Sequence, residues 1–142
     1  MMEFFNEYKF LIVPAILWFG IQMFKVLYEY FTEGKWDFKR FMGAGGMPSS
    51  HSAVVVSLAT LIGKYIGITS PIFALSALFA FITMYDAAGV RRAVGKQAHI
   101  LNEVVKEYKD MTPGEFLQEK TGHTPVQVAA GALIGFVAGI IL

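Results

Sequence analysis

The 142 residues are 55% hydrophobic and 16% charged, with a mean hydropathy of +0.51, a balance above that of ordinary soluble domains in a length that suits one domain. Twelve basic against 11 acidic residues leave no charge excess to recruit nucleic acid, and the lack of cysteine excludes disulfides, thiolate metal sites and a cysteine nucleophile. An integral membrane helical bundle is the first expectation.

The opening MMEFFNEYKF has no basic leader with a small-residue cleavage site, so the first apolar run, Phe10 to about Tyr30, reads as a retained helix. Gln22, Lys25 and Glu29 share a face near its far end. Charge at membrane depth faces a cavity or a partner; Lys25 is therefore half of a local ion pair with Glu29 or a ligand for phosphate. The polar segment from Thr32 to Met47 contains Lys39 and Arg40 and runs into Gly45-Gly-Met-Pro-Ser-Ser-His-Ser52. A helix beginning at Pro48 and capped by Ser49 or Ser50 would aim free N–H groups and the positive end of its dipole beside His51. That is either an anion site or a plain cap with a histidine at the membrane interface.

The second apolar stretch, Ser49 to Ile68, turns within Ile66 to Ser70 into the third, Pro71 to about Ala88. Asp86-Ala-Ala-Gly-Val-Arg-Arg92 then opens a long segment that ends at Thr124. Arg91 and Arg92 are either interface-snorkelling side chains or bidentate donors to a tetraoxo anion, with Asp86 orienting one of them. A helix continuing to Tyr108 puts Arg92, Lys96, His99 and Glu103 on one stripe, where Glu103, one turn on, would hold the imidazole of His99. A helix lying on a membrane surface needs such a stripe in any case. Thr112-Pro-Gly-Glu115 has the form of a capping box and predicts a short surface helix over Pro113 to Thr121, closed by Gly122 and followed by His123. In the final stretch, Pro125 to Leu142, Gly131, Gly135 and Gly139 line one face for close packing, within the chain or in a homo-oligomer.

Each apolar stretch approaches the ~20 residues needed to cross a bilayer, so about four transmembrane helices plus surface helices are predicted. Four crossings put both long segments, and hence the Pro-Ser-Ser-His and Asp-to-Arg-Arg clusters, at one membrane face. Nine of the 12 lysines and arginines lie in those segments, against Lys9 and Lys64 near the other end, which makes that face cytoplasmic.

Pro48-Ser49-Ser50-His51 at a helix start, followed one helix later by an arginine cluster, resembles the type-2 phosphatidic acid phosphatase superfamily, which includes the vanadium haloperoxidases. The strings GGMPSSHS and ITMYDAAGVRRAVGKQA (Ile82 to Ala98) look more closely like its divergent bacterial and plant branch, over nearly the whole chain. The resemblance implies an all-α fold with one membrane-embedded phosphatase-like domain over 1–142. It implies phosphate binding by Ser49, Ser50 and Arg92, to which the residues themselves add Arg91 and Lys96, with Lys25, Lys39 or Arg40 in place of an absent first motif. His51 takes the position of the general acid and His99 that of the nucleophile, supported by Asp86 and Glu103. Ser50 replaces a glycine of the usual pattern, Arg91 a serine and Glu103 an aspartate, and six residues rather than five separate Arg92 from His99. Apart from the resemblance, His123, on the same face before the last helix, is either the reserve candidate or a plain polar loop histidine.

The function so implied is hydrolysis of a lipid phosphate or pyrophosphate monoester in a bacterial cytoplasmic membrane, without metal or other cofactor and without nucleic acid. The competing reading is a non-catalytic phospholipid-binding or scaffold protein that keeps a degenerate phosphatase site.

Overall fold

A hydroxyl side chain caps three of the helices, and proline stands beside each cap. In the computed structural model, which describes residues 2–34, 36, 41, 45–107, 116–119 and 121–142, five helices are seen: α1 (Met2–Glu33), α2 (Ser50–Tyr65), α3 (Pro71–Ala88), α4 (Val90–Glu107) and α5 (Pro125–Ile141). Ser49 caps α2 by accepting the N–H of Ser52, Ser70 caps α3 by accepting that of Phe73, and Thr124 forms a reciprocal capping box with Gln127 at the start of α5. Pro71 and Pro125 fill first-turn positions, where a missing N–H costs nothing. Helices α3 and α4 run on through Gly89, whose N–H bonds Tyr85 O at 2.8 Å and whose carbonyl accepts from Ala93 at 2.9 Å. The protein is all-α among the described residues, as its composition suggested.

Helix α2 is the centre of the bundle and packs against α1, α3 and α5. Its buried face is built from small residues, Ser52, Ala53, Ser57 and Ala59, with Val55, Leu61 and Ile62. The buried hydroxyls are satisfied locally, Ser52 Oγ to Ser49 Oγ at 3.0 Å and Ser57 Oγ to Val54 O at 2.9 Å. Opposite lies the glycine face of α5. A Cβ on Gly131 would stand 2.2 Å from Ser49 O, one on Gly135 2.3 Å from Ala53 O, and one on Gly139 2.6 Å from Thr60 Cβ. The glycine seam is thus filled within the chain, and a homo-oligomer through it would require α5 to leave α2. Because the paired positions rise together along both helices, α2 and α5 run parallel and start at the same end.

The outer faces of α1 and α3 expose Leu11, Ile16, Phe19, Leu75, Leu78 and Phe81, a surface suited to lipid. Two helical spans, Glu3–Glu33 and Pro71–Lys106, are long and apolar enough to cross a membrane. Among the described residues these two are what the structure supports, fewer than the expected four or so crossings. Helices α2 and α5, with 16 and 17 residues, fall below the ~20 of a straight crossing, and α2 lies enclosed by its neighbours. The expected surface helix over Pro113 to Thr121 is corrected in its described part: 116–119 are not helical, while 113–115 and 120 lie outside the described residues.

The seam makes a direct prediction. Gly135→Ala should cost about 1–3 kcal/mol through overpacking. Gly20→Ala, where nothing lies within 4 Å of the added carbon, should gain about 1 kcal/mol from helix propensity. Thermal unfolding of both variants in one detergent checks the order, and equal midpoints would contradict the close approach.

Candidate functional site

Parallel packing gathers two helix starts at one end of the bundle, and the junction of α3 and α4 meets them there through Ala87. The N–H of Ser49 bonds Gln127 O at 3.1 Å, tying the beginnings of α2 and α5 together, and the N–H of His123 bonds Ala87 O at 2.9 Å, tying the approach to α5 to the end of α3. Lys25 crosses from α1, 5% exposed, and donates to Gly45 O at 3.0 Å. Gly46 follows with φ at 79°, a left-handed turn that a side chain would strain and that lets the backbone border the site.

At the centre stand two imidazoles. The rings of His51, in the first turn of α2, and His123, just ahead of α5, have centroids 6.3 Å apart and planes inclined by 61°. His123 is 2% exposed, and neither ring nitrogen has a hydrogen-bond partner among the described residues. It borders a cavity of about 310 Å³ with Gly46, Arg92, Glu119, Thr121, Thr124 and Gln127. The side chain of Gln127 and the backbone of Gly46 are its polar neighbours, and a buried imidazole on a cavity wall can bond a ligand there. Burial pushes the pKa of His123 down to about 4, reinforced by the charge of Lys25, while polar groups of Gln127 and the Gly46 backbone pull the other way. At neutral pH this ring is uncharged. His51 faces a separate cavity of about 500 Å³ that it shares with Asp86, Arg91, Thr83 and Trp18.

The cationic groups divide between these cavities. Arg91 donates from Nε to Asp86 Oδ2 at 2.6 Å, the expected orienting pair, and stands near His51. Arg92 borders the cavity of His123 and also a third one, of about 530 Å³, with Lys96 and His99. Lys25 is the lysine that the fold brings beside both histidines; Lys39 and Arg40 lie outside the described residues. Ser49 and Ser50 are buried, and the hydroxyl of Ser49 is taken up by Ser52 in the cap, so it does not reach a cavity as a phosphate ligand would.

His99 lies elsewhere. Seven residues beyond Arg92, about 10 Å along the helix axis, it binds Glu119 through Nδ1 at 2.8 Å and lines the cavity of about 530 Å³ rather than that of either other histidine. Glu103 pairs with Lys106 at 2.6 Å, so the expected Glu103 hydrogen bond to His99 is corrected to one from Glu119. The carboxylate of Glu119 arrives from a segment whose fold local spacing did not reveal. Sequence reasoning ranked His123 second, yet a signal existed: His123-Thr124-Pro125 sets a histidine beside a capped, proline-started helix, as Pro48-Ser49-Ser50-His51 does. Among the described residues no group of three His, Asp or Glu is placed to hold a metal ion.

An all-helical membrane protein with a cationic, two-histidine site at one end of its bundle is thereby defined. Its sequence matches the model of the Divergent PAP2 family over residues 6–138, and the chain belongs to that family. It is 37% identical over 154 aligned positions to the uncharacterized membrane protein YuiD of Bacillus subtilis (strain 168), covering 99% of this chain and 97% of YuiD. No solved structure matches.

The depressed pKa of His123 has a thermodynamic sign. Above about pH 6.5 the ring is neutral folded and unfolded; between there and about pH 4 the unfolded chain binds the extra proton. Stability should therefore fall as pH drops through this window, and His123→Gln should flatten the fall. Unfolding midpoints at pH 7, 5.5 and 4.5 check this, and parallel curves would contradict a buried neutral ring.

Proposed function

We propose that this protein is a membrane-embedded phosphatase hydrolysing a lipid phosphate or pyrophosphate monoester at a site formed by Lys25, His51, Arg91, Arg92 and His123. The observation that carries the reading is the approach of His51 and His123, 6.3 Å between ring centroids, from the starts of two parallel helices with Lys25 beside both. Family membership supports the same chemistry. Phosphoryl transfer is served chiefly by neutralising the equatorial oxygens and holding an attacking and a proton-donating group in line. Lys25, Arg91 and Arg92 supply the positive charge, together with the N–H groups that open α2 and α5.

In this scheme the neutral ring of His123 attacks phosphorus; an N–P bond forms as the bond to the leaving oxygen breaks, and His51 passes that oxygen a proton. Water, giving its proton back to His51, then cleaves the phosphohistidine and releases inorganic phosphate. Arriving phosphate offsets the charge of Lys25 and supplies the hydrogen-bond partner that the His123 ring lacks.

A lipid substrate is supported by a further cavity of about 470 Å³ between α1 and α5, lined by Phe24, Tyr28, Met47 and Ile134, which meets the phosphate side at Lys25 and Gly46. An alkyl tail fits there with its headgroup at the histidines. The site end carries Arg91, Arg92, Lys96 and Lys106, while Lys9, stacked on Tyr65, and Lys64 mark the opposite end. That asymmetry supports a site facing the cytoplasm of a bacterial membrane.

Phosphate release by the purified protein from phosphatidate, isoprenyl phosphate and isoprenyl diphosphate in mixed micelles tests the reading. The parent should turn over at least one substrate and be inhibited by vanadate. His51→Ala and His123→Ala should each lose about 10³-fold or more in kcat, whereas His99→Ala should stay within about tenfold, its exposed pair with Glu119 contributing little. A parent that binds these lipids but releases phosphate from none favours the non-catalytic phospholipid-binding protein, and full loss in His99→Ala alone returns the nucleophile to α4.

A further inference from the structure

Beyond the reacting groups, α4 holds a buried polar side chain that the scheme above does not use. Asn102 is 4% exposed, and its carboxamide makes three hydrogen bonds to one short segment. Nδ2 donates to Leu117 O at 2.9 Å and to Glu119 Oε1 at 2.7 Å, and Oδ1 accepts the N–H of Leu117 at 2.9 Å. Both donors are used, and the backbone of Leu117 is paired as it would be in a sheet. The bond from Asn102, and after it the one from His99, holds the Glu119 carboxylate below its usual range and so keeps it an acceptor.

From this clamp the segment runs back along the helix toward the site. A Cβ on Gly95 would lie 2.5 Å from Thr121 O and one on Gly122 2.4 Å from Arg92 N, so backbone rests on backbone at both points. It ends where His123 N–H meets Ala87 O. The segment is thus a strap held to α4 at Asn102, beside Gly95 and beside Arg92 before it reaches His123, and a change at its far anchor bears on the ring at its near end.

We propose that Asn102 is a positioning residue: by gripping Leu117 and Glu119 it sets the register of the strap and thereby holds His123 in its buried place facing His51. The catalytic consequence rests on the phosphatase reading; the placement of His123 does not.

The test uses full-length protein in lipid nanodiscs and reads the carbethoxylation rate of each histidine by mass spectrometry, alongside kcat and KM. In Asn102→Ala and Asn102→Asp, His123 should react about tenfold faster or more, approaching exposed His99, while the rate at His51 holds. On a lipid phosphate that the parent hydrolyses, kcat should fall about 10²-fold with KM within about twofold, as displacement of a reacting group requires. Asn102→Asp combined with Glu119→Gln, which restores a donor toward the new carboxylate but leaves Leu117 O without one, should recover part of the protection. Gly95→Ala pushes the strap from its middle and should expose His123 in the same way, which keeps the test decisive if an Asn102 variant fails to fold. His123 reactivity within about twofold of the parent in every folded variant overturns the inference. If the parent releases no phosphate, the enzymatic reading fails, and the histidine rates still decide the role of Asn102.

Discussion

Everything at the site depends on how closely α5 can lie against α2. Three glycines, one per turn, remove the side chains that would hold the two backbones apart, and added carbons there would meet Ser49 O, Ala53 O and Thr60 at 2.2–2.6 Å. In a membrane, where apolar surface gains little from leaving lipid for protein, such contact is carried by van der Waals packing. The consequence is directional as well as energetic. Helices in parallel contact have their N-termini at the same end, so the unpaired amides and positive dipole ends of α2 and α5 add together where His51 and His123 stand. Two parallel neighbours need a return path, which α3 supplies, and its C-terminal end brings Asp86 and Arg91 to the same place.

A division of labour between seam and strap follows. The seam fixes the helix to which His123 leads; the strap along α4 fixes where the ring itself sits. His123 has little side-chain support of its own, since both ring nitrogens lack partners among the described residues. Its position comes from backbone on either side: the bond to Ala87 O, the tight passage at Gly122, and the anchor at Asn102. Placing a group through its backbone leaves its side chain free to bond a ligand, at the cost of keeping a polar ring buried without water.

Much of this was legible in the sequence. Hydropathy and helix punctuation outlined the apolar helices, because caps and first-turn prolines act within a few residues. The meeting of the Pro-Ser-Ser-His turn with the Asp-to-Arg-Arg cluster followed from counting apolar stretches, even though two rather than four of the helices are long enough to cross on their own. The spacing of Gly131, Gly135 and Gly139 announced a packing face, while its partner, an internal helix, depended on tertiary contact. The expected hydrogen bond between Glu103 and His99 is not made, for a physical reason. One-turn spacing permits a hydrogen bond but does not choose between competing partners, and Lys106 and Glu119 were better placed. Asn102 was invisible, since an asparagine on a predicted helix has no periodic signal and its partners sit 15 and 17 residues away.

The most direct measurement is a structure of the protein with vanadate bound. Vanadium bonded to a ring nitrogen of His123, with His51 within hydrogen-bond distance of its oxygens and Lys25 and Arg91 around it, is the expected result. Vanadate seated on His99, or away from the shared N-terminal end of α2 and α5, would contradict a common site for the two histidines.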